Sequence, residues 1–214
     1  MKRIIVLFCL TFLGSILMAQ PQNYKLLAGT EKSSMAKKIA AASTQVSSLQ
    51  CDFVQEKKLS FLTEVQKSNG KMYYKNPNCL RWEYVAPDPY IFIFNNQKIY
   101  LKNEKGTSQF NANTNRTLKT MSQLIIGTIS GEGLQQNSNF TIEYYTGGKQ
   151  ILVKLTPVDK NIKKMISTIE LYLDNTTLLA TQMVMNEAGG DVTKFTFLNV
   201  QKNIALSSNK FKID

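Results

Sequence analysis

The segment from residue 77 to residue 87 constrains the fold most strongly, because its side chains alternate with the two-residue period of a β-strand. Leu80, Trp82 and Tyr84 fall on one face of this strand, and more polar residues alternate with them. The single tryptophan of the chain therefore lies on the apolar face of a strand. The next apolar run, residues 90–94, has apolar side chains on both faces, which predicts that other parts of the chain cover both.

Strand patterns dominate the rest of the chain and do not alternate regularly with helices. Predicted strands cover residues 51–59, 71–75, 80–85, 90–94, 98–102, 140–146, 150–156, 167–174, 178–186 and 192–200, with a further edge segment at 210–213. Tight turns at 95–97 and 147–148 predict two hairpins. This order predicts a mainly β fold with some helix, in which a long antiparallel sheet curls and presents a concave face.

Two segments have the apolar spacing of helices. The first runs from a cap at Ser33 or Ser34 to about Leu49. The second covers residues 118–129 and ends near Gly131. Its inward-facing side chains include Met121, Leu124, Ile125 and Ile129. We expect both helices to pack over the concave face of the sheet.

The N-terminus has the pattern of a secretory signal peptide. Lys2 and Arg3 precede an apolar run at residues 4–13, and Ala19 is the favoured cleavage site. An uncleaved membrane anchor is the alternative, although the apolar run is short for a bilayer span. The sequence thus predicts a signal peptide at 1–19, a flexible segment at 20–32 and a single domain at 33–214.

The residue types present exclude most catalytic chemistry. The chain contains no histidine, so Ser-His-Asp and Cys-His arrangements cannot form. Cys51 and Cys79 follow the signal peptide, and they stay open to two interpretations, a disulfide or two buried thiols. Two cysteines without histidine do not make a structural zinc site, and the chain has no Gly-rich phosphate loop. We therefore predict that the protein is not an enzyme and has no catalytic residue, metal or cofactor.

The formal net charge of the chain is +11. This charge indicates either a well-solvated surface with scattered lysines or contact with anionic headgroups, polyanions or acidic partners. The densest lysine pairs, at 57–58 and 163–164, are not interleaved with aromatic residues, so we do not predict nucleic-acid binding.

Aromatic residues and methionines recur on single faces of the predicted strands. They are Trp82, Tyr84, Tyr90, Phe92, Phe94, Met183, Met185, Phe195 and Phe197. Leu80 shares the face of Trp82 and Tyr84. Such side chains adapt to irregular apolar guests, which favours a site for a chain-like lipid. An ordinary dry core is the alternative interpretation of the same residues.

Several landmarks occur in a fixed order along the chain. After the first helix come Phe53-Val54-Gln55, Gly70-Lys71-Met72-Tyr73-Tyr74, Lys75-Asn76-Pro77-Asn78-Cys79-Leu80-Arg81-Trp82, Glu83-Tyr84-Val85-Ala86-Pro87 and the hairpin at 95–100. Together with the signal peptide and the length, this set resembles the LolA family of outer-membrane lipoprotein carriers, from about Ala36 to the C-terminus.

The resemblance implies an incomplete, half-open antiparallel β-barrel whose concave face holds acyl chains under helices that act as a lid. It also implies a monomeric carrier in the periplasm that binds acylated lipoproteins, receives them from an inner-membrane lipoprotein-releasing transporter and meets a possible outer-membrane acceptor. By position, the resemblance places Leu80 and Trp82 on the concave face and Met121, Leu124, Ile125 and Ile129 on the lid. Phe53, Tyr84, Met183 and Met185 complete the set of expected lipid-binding residues as apolar residues of the predicted strands.

One position departs from the family pattern. Many members have an arginine immediately before the proline of the strand, and this arginine holds the lid closed through hydrogen bonds. Asn76 stands there in this chain, with less reach and no charge, and it is the candidate for lid control. Two other functions stay open, namely a periplasmic sensor or adaptor of lipid or lipoprotein on the same fold, and a basic protein that binds polyanionic glycolipids.

Overall fold

The computed structural model describes residues 23–111, 126, 127, 131, 134 and 139–213, and within them twelve antiparallel strands form one sheet. The strands are β1 (Lys25–Leu26), β2 (Ser48–Lys58), β3 (Val65–Lys75), β4 (Cys79–Ala86), β5 (Tyr90–Asn95), β6 (Lys98–Asn103), β7 (Gly106–Asn111), β8 (Phe140–Gly147), β9 (Gln150–Pro157), β10 (Ile166–Asp174), β11 (Ala180–Glu187) and β12 (Val192–Lys202). Their order across the sheet is β1-β8-β9-β10-β11-β12-β2-β3-β4-β5-β6-β7. The sheet is curved and open, which confirms the predicted half-open antiparallel barrel.

The first helix begins and ends earlier than the sequence predicts. Helix α1 runs over Gly29–Thr44, and its N-cap residue Ala28 has an extended backbone without a side-chain cap. Ser33 and Ser34 therefore lie inside the helix, and their predicted capping role is wrong. The segment 20–32, predicted to be flexible, contributes β1 and the first turn of α1 in the part that the structure describes. The boundary of the domain at residue 33 stays a prediction.

Leu49 lies in β2 and not in α1. Its distance of three positions from Val46 fits a helix, but Leu49 also shares the two-residue period of Cys51 and Phe53. Pairing of β2 with β3 and β12 gives the backbone of this segment its hydrogen bonds, so the strand period decides the structure.

The sequence patterns did not predict the strands, or parts of strands, that are polar. β1 and β7 were not predicted, and β3 begins at Val65 although its apolar alternation starts only near residue 71. Their side chains are largely exposed, so no apolar period marks them. The predicted edge segment at 210–213 is wrong as well, because Ser208–Phe211 forms a 3-10 turn. The two hairpins are confirmed, with turns at 96–97 and 148–149.

The face of the sheet that packs against α1 is called the concave face. Ile39 of α1 and Val46, which follows α1, are buried in one apolar cluster with side chains from every strand from β2 to β6 and from β8 to β12. Helix α1 therefore acts as the filler of the concave face that the sequence predicts. A short helix, α2 (Lys160–Lys163), begins after Asp159, whose side chain caps it.

The opposite, convex face of β3 to β5 is covered by the C-terminal segment. Tyr73, Ile93 and Phe211 form a separate buried cluster there. Asn95 donates a hydrogen bond from Nδ2 to the Phe211 carbonyl oxygen at 3.1 Å. The prediction that both faces of the strand at residues 90–94 are covered is confirmed.

Cys51 and Cys79 are both free thiols. Cys51 belongs to the concave-face cluster, whereas Cys79 packs against the convex-face cluster. Because the two side chains lie on opposite faces of the sheet, the structure favours the interpretation as two thiols. Burial raises the pKa of Cys51 to about 12, so this thiol is protonated at neutral pH.

Two carboxylates are stabilised in their charged form by hydrogen bonds. Lys71 donates to Asp52 Oδ1 at 2.8 Å, and this bond holds the pKa of Asp52 below its ordinary value of 3.8. The backbone N–H of Ser60 donates to Asp191 Oδ1 at 2.8 Å and lowers the pKa of Asp191 in the same way. Both groups bind protons more tightly in the unfolded chain than in the folded one.

We expect stability to fall in acid because of these carboxylates. Their contribution is complete above the unfolded pKa and is lost as the pH falls through the lower folded values, so the melting temperature should hold to about pH 5 and decline below about pH 4. Calorimetry across this range tests the expectation, and Asp191→Asn should flatten the decline. A melting temperature that stays constant from about pH 5 to about pH 3 contradicts it.

Candidate functional site

An aromatic cluster occupies the concave face at β2, β4 and β12. The ring of Phe53 lies 4.8 Å from that of Trp82, 5.2 Å from that of Tyr84 and 6.0 Å from that of Phe195, measured between centroids. The Trp82 ring lies 5.1 Å from that of Phe195 and 6.3 Å from that of Phe197. Most of these rings meet edge to face, the arrangement that aromatic quadrupoles favour. Phe53 and Trp82 are the centre of a continuous apolar wall.

Gly70 makes room for the central ring of this cluster. Gly70 is the cross-strand partner of Phe53 on β3, and the register is irregular between Asn69 and Gly70. A Cβ atom at Gly70 would lie 2.6 Å from Phe53 Cζ and 2.0 Å from the Glu83 carbonyl oxygen. Any larger residue would displace the Phe53 ring or the backbone of β4. Glycine is therefore required at position 70, because both groups approach its Cα closely.

The structure brings the predicted strand residues onto one face. Phe53, Leu80, Trp82 and Met183 are all buried in the concave-face cluster, and Tyr84 and Met185 are packed against it. Met183 pairs across the strands with Phe195. The structure thus shows that these residues share one face of the sheet. Their role in lipid binding stays a prediction.

Residues Phe195 and Phe197 also belong to the site, although sequence reasoning did not include them among the expected lipid-binding residues. The signal was present in the sequence, because Thr193, Phe195 and Phe197 alternate with outward residues along β12. What the sequence could not show is that Phe197 pairs with Phe53 and so enters the same wall.

A polar rim bounds the wall at one end. The Tyr84 hydroxyl donates to Gln55 Oε1 at 2.6 Å, and the Thr193 hydroxyl donates to Glu187 Oε1 at 3.1 Å. Lys57 Nζ lies 3.3 Å from the same Glu187 oxygen. Since β2 and β4 run in the same direction, Gln55 and Lys57 continue the wall beyond Phe53 at the end where Tyr84 follows Trp82. The concave face thus changes from apolar to polar along its strands.

Two polar groups within the wall differ in how they are satisfied. Burial raises the pKa of Tyr84 to about 12. The Trp82 Nε1–H is buried and has no hydrogen-bond partner among the described residues. The Tyr84 hydroxyl therefore has its hydrogen-bond acceptor in Gln55, whereas the Trp82 N–H donor is unsatisfied among the described residues.

The concave face is tightly covered at the other end. A cavity of about 30 Å³ remains between α1 and β10 and β11, lined in part by Ile39, Ser43, Val46 and Leu134. This volume holds a few water molecules at most. Gly131, at φ +79°, approaches α1 so closely that a Cβ atom would lie 2.7 Å from Ser43 Cβ. A bulky guest on the concave face therefore requires the covering segments to move.

The predicted lid residues Met121, Leu124, Ile125 and Ile129 lie outside the described residues. The neighbouring Ile126 is helical and is buried in the concave-face cluster, as is Leu134. Asn76 lies exposed on the turn between β3 and β4, and its backbone N–H donates to the Ser47 carbonyl oxygen at 2.9 Å. This bond ties the turn to the segment that follows α1, and a role of Asn76 in lid control stays a prediction.

Two other features of the described part concern membranes and metals. None of its helices combines the length and apolarity that a bilayer span needs. In those same ranges, no group of three or more Cys, Asp or Glu side chains is arranged to hold a metal ion.

The fold and the site together describe a half-open antiparallel barrel whose concave face carries an apolar wall and packs against α1. The family described as Outer membrane lipoprotein carrier protein LolA matches residues 44–214, so the chain belongs to the LolA family.

Proteins named outer-membrane lipoprotein carrier protein are among its relatives. The one from Pseudomonas paraeruginosa is 28% identical over 155 residues, which cover 71% of this chain and 70% of the relative. The one from Chromohalobacter salexigens is 23% identical over 179 residues, which cover 84% and 82%. An uncharacterized conserved protein from Thermus thermophilus shares the fold with a TM-score of 0.51 at 9% identity, covering 84% of this chain and 94% of that one.

Proposed function

We propose that this protein is a periplasmic carrier that binds the acyl chains of lipoproteins on its concave face and shuttles them from the inner to the outer membrane. The observation that carries the proposal is the continuous aromatic wall around Phe53 and Trp82, which is buried in one cluster with Ile39 of α1 and with Ile126. Membership of the LolA family and the names of the relatives support the same function.

The energetics allow both loading and release. Each buried methylene gains about 0.8 kcal/mol, so an acyl chain of about fifteen methylenes gains about 12 kcal/mol. Uncovering Ile39 and Val46 would cost about 3–6 kcal/mol for the two side chains, using about 1.5–3 kcal/mol for each. An acyl chain that leaves the membrane is therefore held on the concave face in preference to water, while the cost of moving the cover reduces the net affinity and favours release.

The proposed transport route also assigns roles to the N-terminus, the lid and Asn76. Residues 1–19 would export the chain to the periplasm, and Met121, Leu124, Ile125 and Ile129 would form part of the lid. Asn76 would help to hold that lid through its amide. As a monomer, the carrier would take acylated lipoproteins from an inner-membrane lipoprotein-releasing transporter and deliver them to an outer-membrane acceptor where one exists.

The net charge of +11 supports a second candidate, a binder of polyanionic glycolipids. The two candidates differ in salt dependence, because exposed ionic contacts weaken with ionic strength and acyl-chain burial does not. Native mass spectrometry of the mature protein with a triacylated lipopeptide separates them. A one-to-one complex that survives high salt supports the carrier, and a complex lost at modest salt supports the polyanion binder.

We expect Met185→Glu to weaken binding of the triacylated lipopeptide at least about tenfold, because a carboxylate on the concave face must be desolvated against the acyl chain. Met185 is half-buried on that face. Val184 is its neighbour on β11, is also half-buried and faces the opposite side of the sheet, so Val184→Glu is the matched control. Equal affinities for the two variants would refute the assignment of the acyl site to the concave face.

A further inference from the structure

The Trp82 indole carries a donor that the described residues do not satisfy. Trp82 is 5% exposed, and its Nε1–H finds no acceptor in the part of the chain that the structure describes. Buried polar groups in native proteins are nearly always paired, so an open donor at the centre of a candidate binding wall calls for an acceptor from elsewhere.

The surroundings of this donor restrict what the acceptor can be. Rings of Phe53, Phe195 and Phe197 stand around the indole and offer no conventional acceptor. The Tyr84 hydroxyl donates its proton to Gln55, and the Trp82 N–H finds no acceptor at hydrogen-bonding geometry among the described residues. A bound molecule that supplies this acceptor has to be apolar enough to lie against the rings.

The charges near the wall also restrict the chemical class of the acceptor. Lys57 is the cation at the rim nearest to this wall along β2, and it is paired with Glu187. A carboxylate or phosphate at Trp82 would lose its hydration without gaining a counter-ion, which is costly. A neutral carbonyl oxygen attached to a hydrocarbon chain accepts a hydrogen bond and avoids that cost.

Resting on the carrier function proposed above, we propose that Trp82 Nε1–H donates a hydrogen bond to an ester or amide carbonyl at the head of a bound acyl chain. The site then recognises acyl groups by their carbonyl and not by hydrocarbon alone. Trp82 acts as a ligand-binding residue with a polar function as well as an apolar one.

This contact also sets the direction of the guest. Leu80 and Tyr84 lie on the same face as Trp82, about 7 Å away along the strand on either side. The Tyr84 side leads to Gln55 and the polar rim, whereas the Leu80 side leads into the fully apolar cluster. With the carbonyl at Trp82, the headgroup faces the rim and the methylenes extend towards Leu80.

Matched ester and ether lipids test the inference, because an ether-linked chain lacks the carbonyl. One pair is a diacylglyceryl-cysteinyl peptide and its dialkyl analogue, and the other is diacyl phosphatidylglycerol and its dialkyl analogue. Equilibrium binding to the mature protein should favour the ester form by about fivefold in the pair that matches the natural guest, the value of one neutral hydrogen bond. The pair with the preference identifies the source of the carbonyl.

Two variants locate the effect. Trp82→Phe keeps an aromatic ring but removes the N–H, and it should bring the ester-to-ether affinity ratio close to one. Tyr73→Phe removes a donor from an aromatic residue on the convex face and should keep the wild-type ratio. The ratio in the wild-type protein needs no variant, so the test stands even where Trp82→Phe folds poorly.

The outcomes separate this inference from the carrier function. A wild-type ratio of one in both lipid pairs, or a ratio that survives Trp82→Phe, overturns carbonyl recognition and leaves acyl binding intact. Failure of every lipid to bind overturns the carrier function and this inference together.

Discussion

Replacement of Gly70 by alanine is expected to lower the free energy of unfolding by about 3 kcal/mol, near the upper end of the usual cost of overpacking. The new Cβ atom would meet the Glu83 carbonyl oxygen at 2.0 Å and Phe53 Cζ at 2.6 Å. The ring could rotate away, but the carbonyl belongs to the backbone of β4 and can move only with the strand. The displaced Phe53 ring should weaken lipid binding as well.

Denaturant titration of Gly70→Ala measures this loss, and Gly189→Ala is the matched control. A Cβ atom at Gly189 would meet nothing within 4 Å, so that variant should change stability by less than about 0.5 kcal/mol. If the two variants are equally stable, Gly70 is not the contact that positions Phe53.

Truncation of Phe211 to alanine is expected to cost about 3–4 kcal/mol, the usual range for a fully buried phenylalanine. Phe211 is 1% exposed and packs with Tyr73 and Ile93 on the convex face. Backbone contacts of the C-terminal segment survive the change, since Asn95 bonds to the carbonyl oxygen of residue 211 and Arg81 to that of residue 210. The loss therefore comes from the cavity and the exposed apolar surface.

The comparison with Phe61→Ala makes this expectation specific. Phe61 is 77% exposed, so its truncation should have an effect of less than about 0.5 kcal/mol. Below its melting temperature, Phe211→Ala should bind the triacylated lipopeptide as the wild-type protein does, because Phe211 lies on the face away from the aromatic wall. A Phe211→Ala protein as stable as Phe61→Ala would show that the C-terminal segment does not hold the sheet.

Alternation of apolar side chains made most of the sheet predictable. Where one face is buried, as at Leu80, Trp82 and Tyr84, the sequence pattern predicts the strand and the face correctly. Residues 65–70 of β3 and the whole of β7 are polar and largely exposed, so their pairing leaves no such pattern. At the C-terminus, Phe211 and Ile213 alternate as in a strand, yet the Ser207 hydroxyl accepts the Asn209 N–H and a 3-10 turn forms.

The site was predictable within each strand but not between strands. Leu80, Trp82 and Tyr84 share a face by local geometry, which the sequence contains. The position of Phe197 opposite Phe53 depends on the pairing of β12 with β2, between residues far apart in the chain. The need for Gly70 depends likewise on the register of β2 with β3 and on the irregularity that follows. Such registers are set by the whole sheet.

The sheet that carries Trp82 is packed on two sides, by a concave-face cluster that includes Ile39 of α1 and by the C-terminal segment over the convex face of β3 to β5. Under the proposed function, a guest would displace the inner layer, and the outer layer would still protect the strands from solvent. Loading would then require a local opening and not a partial unfolding of the domain. Amide hydrogens of α1 should accordingly exchange long before those of β4 and β5.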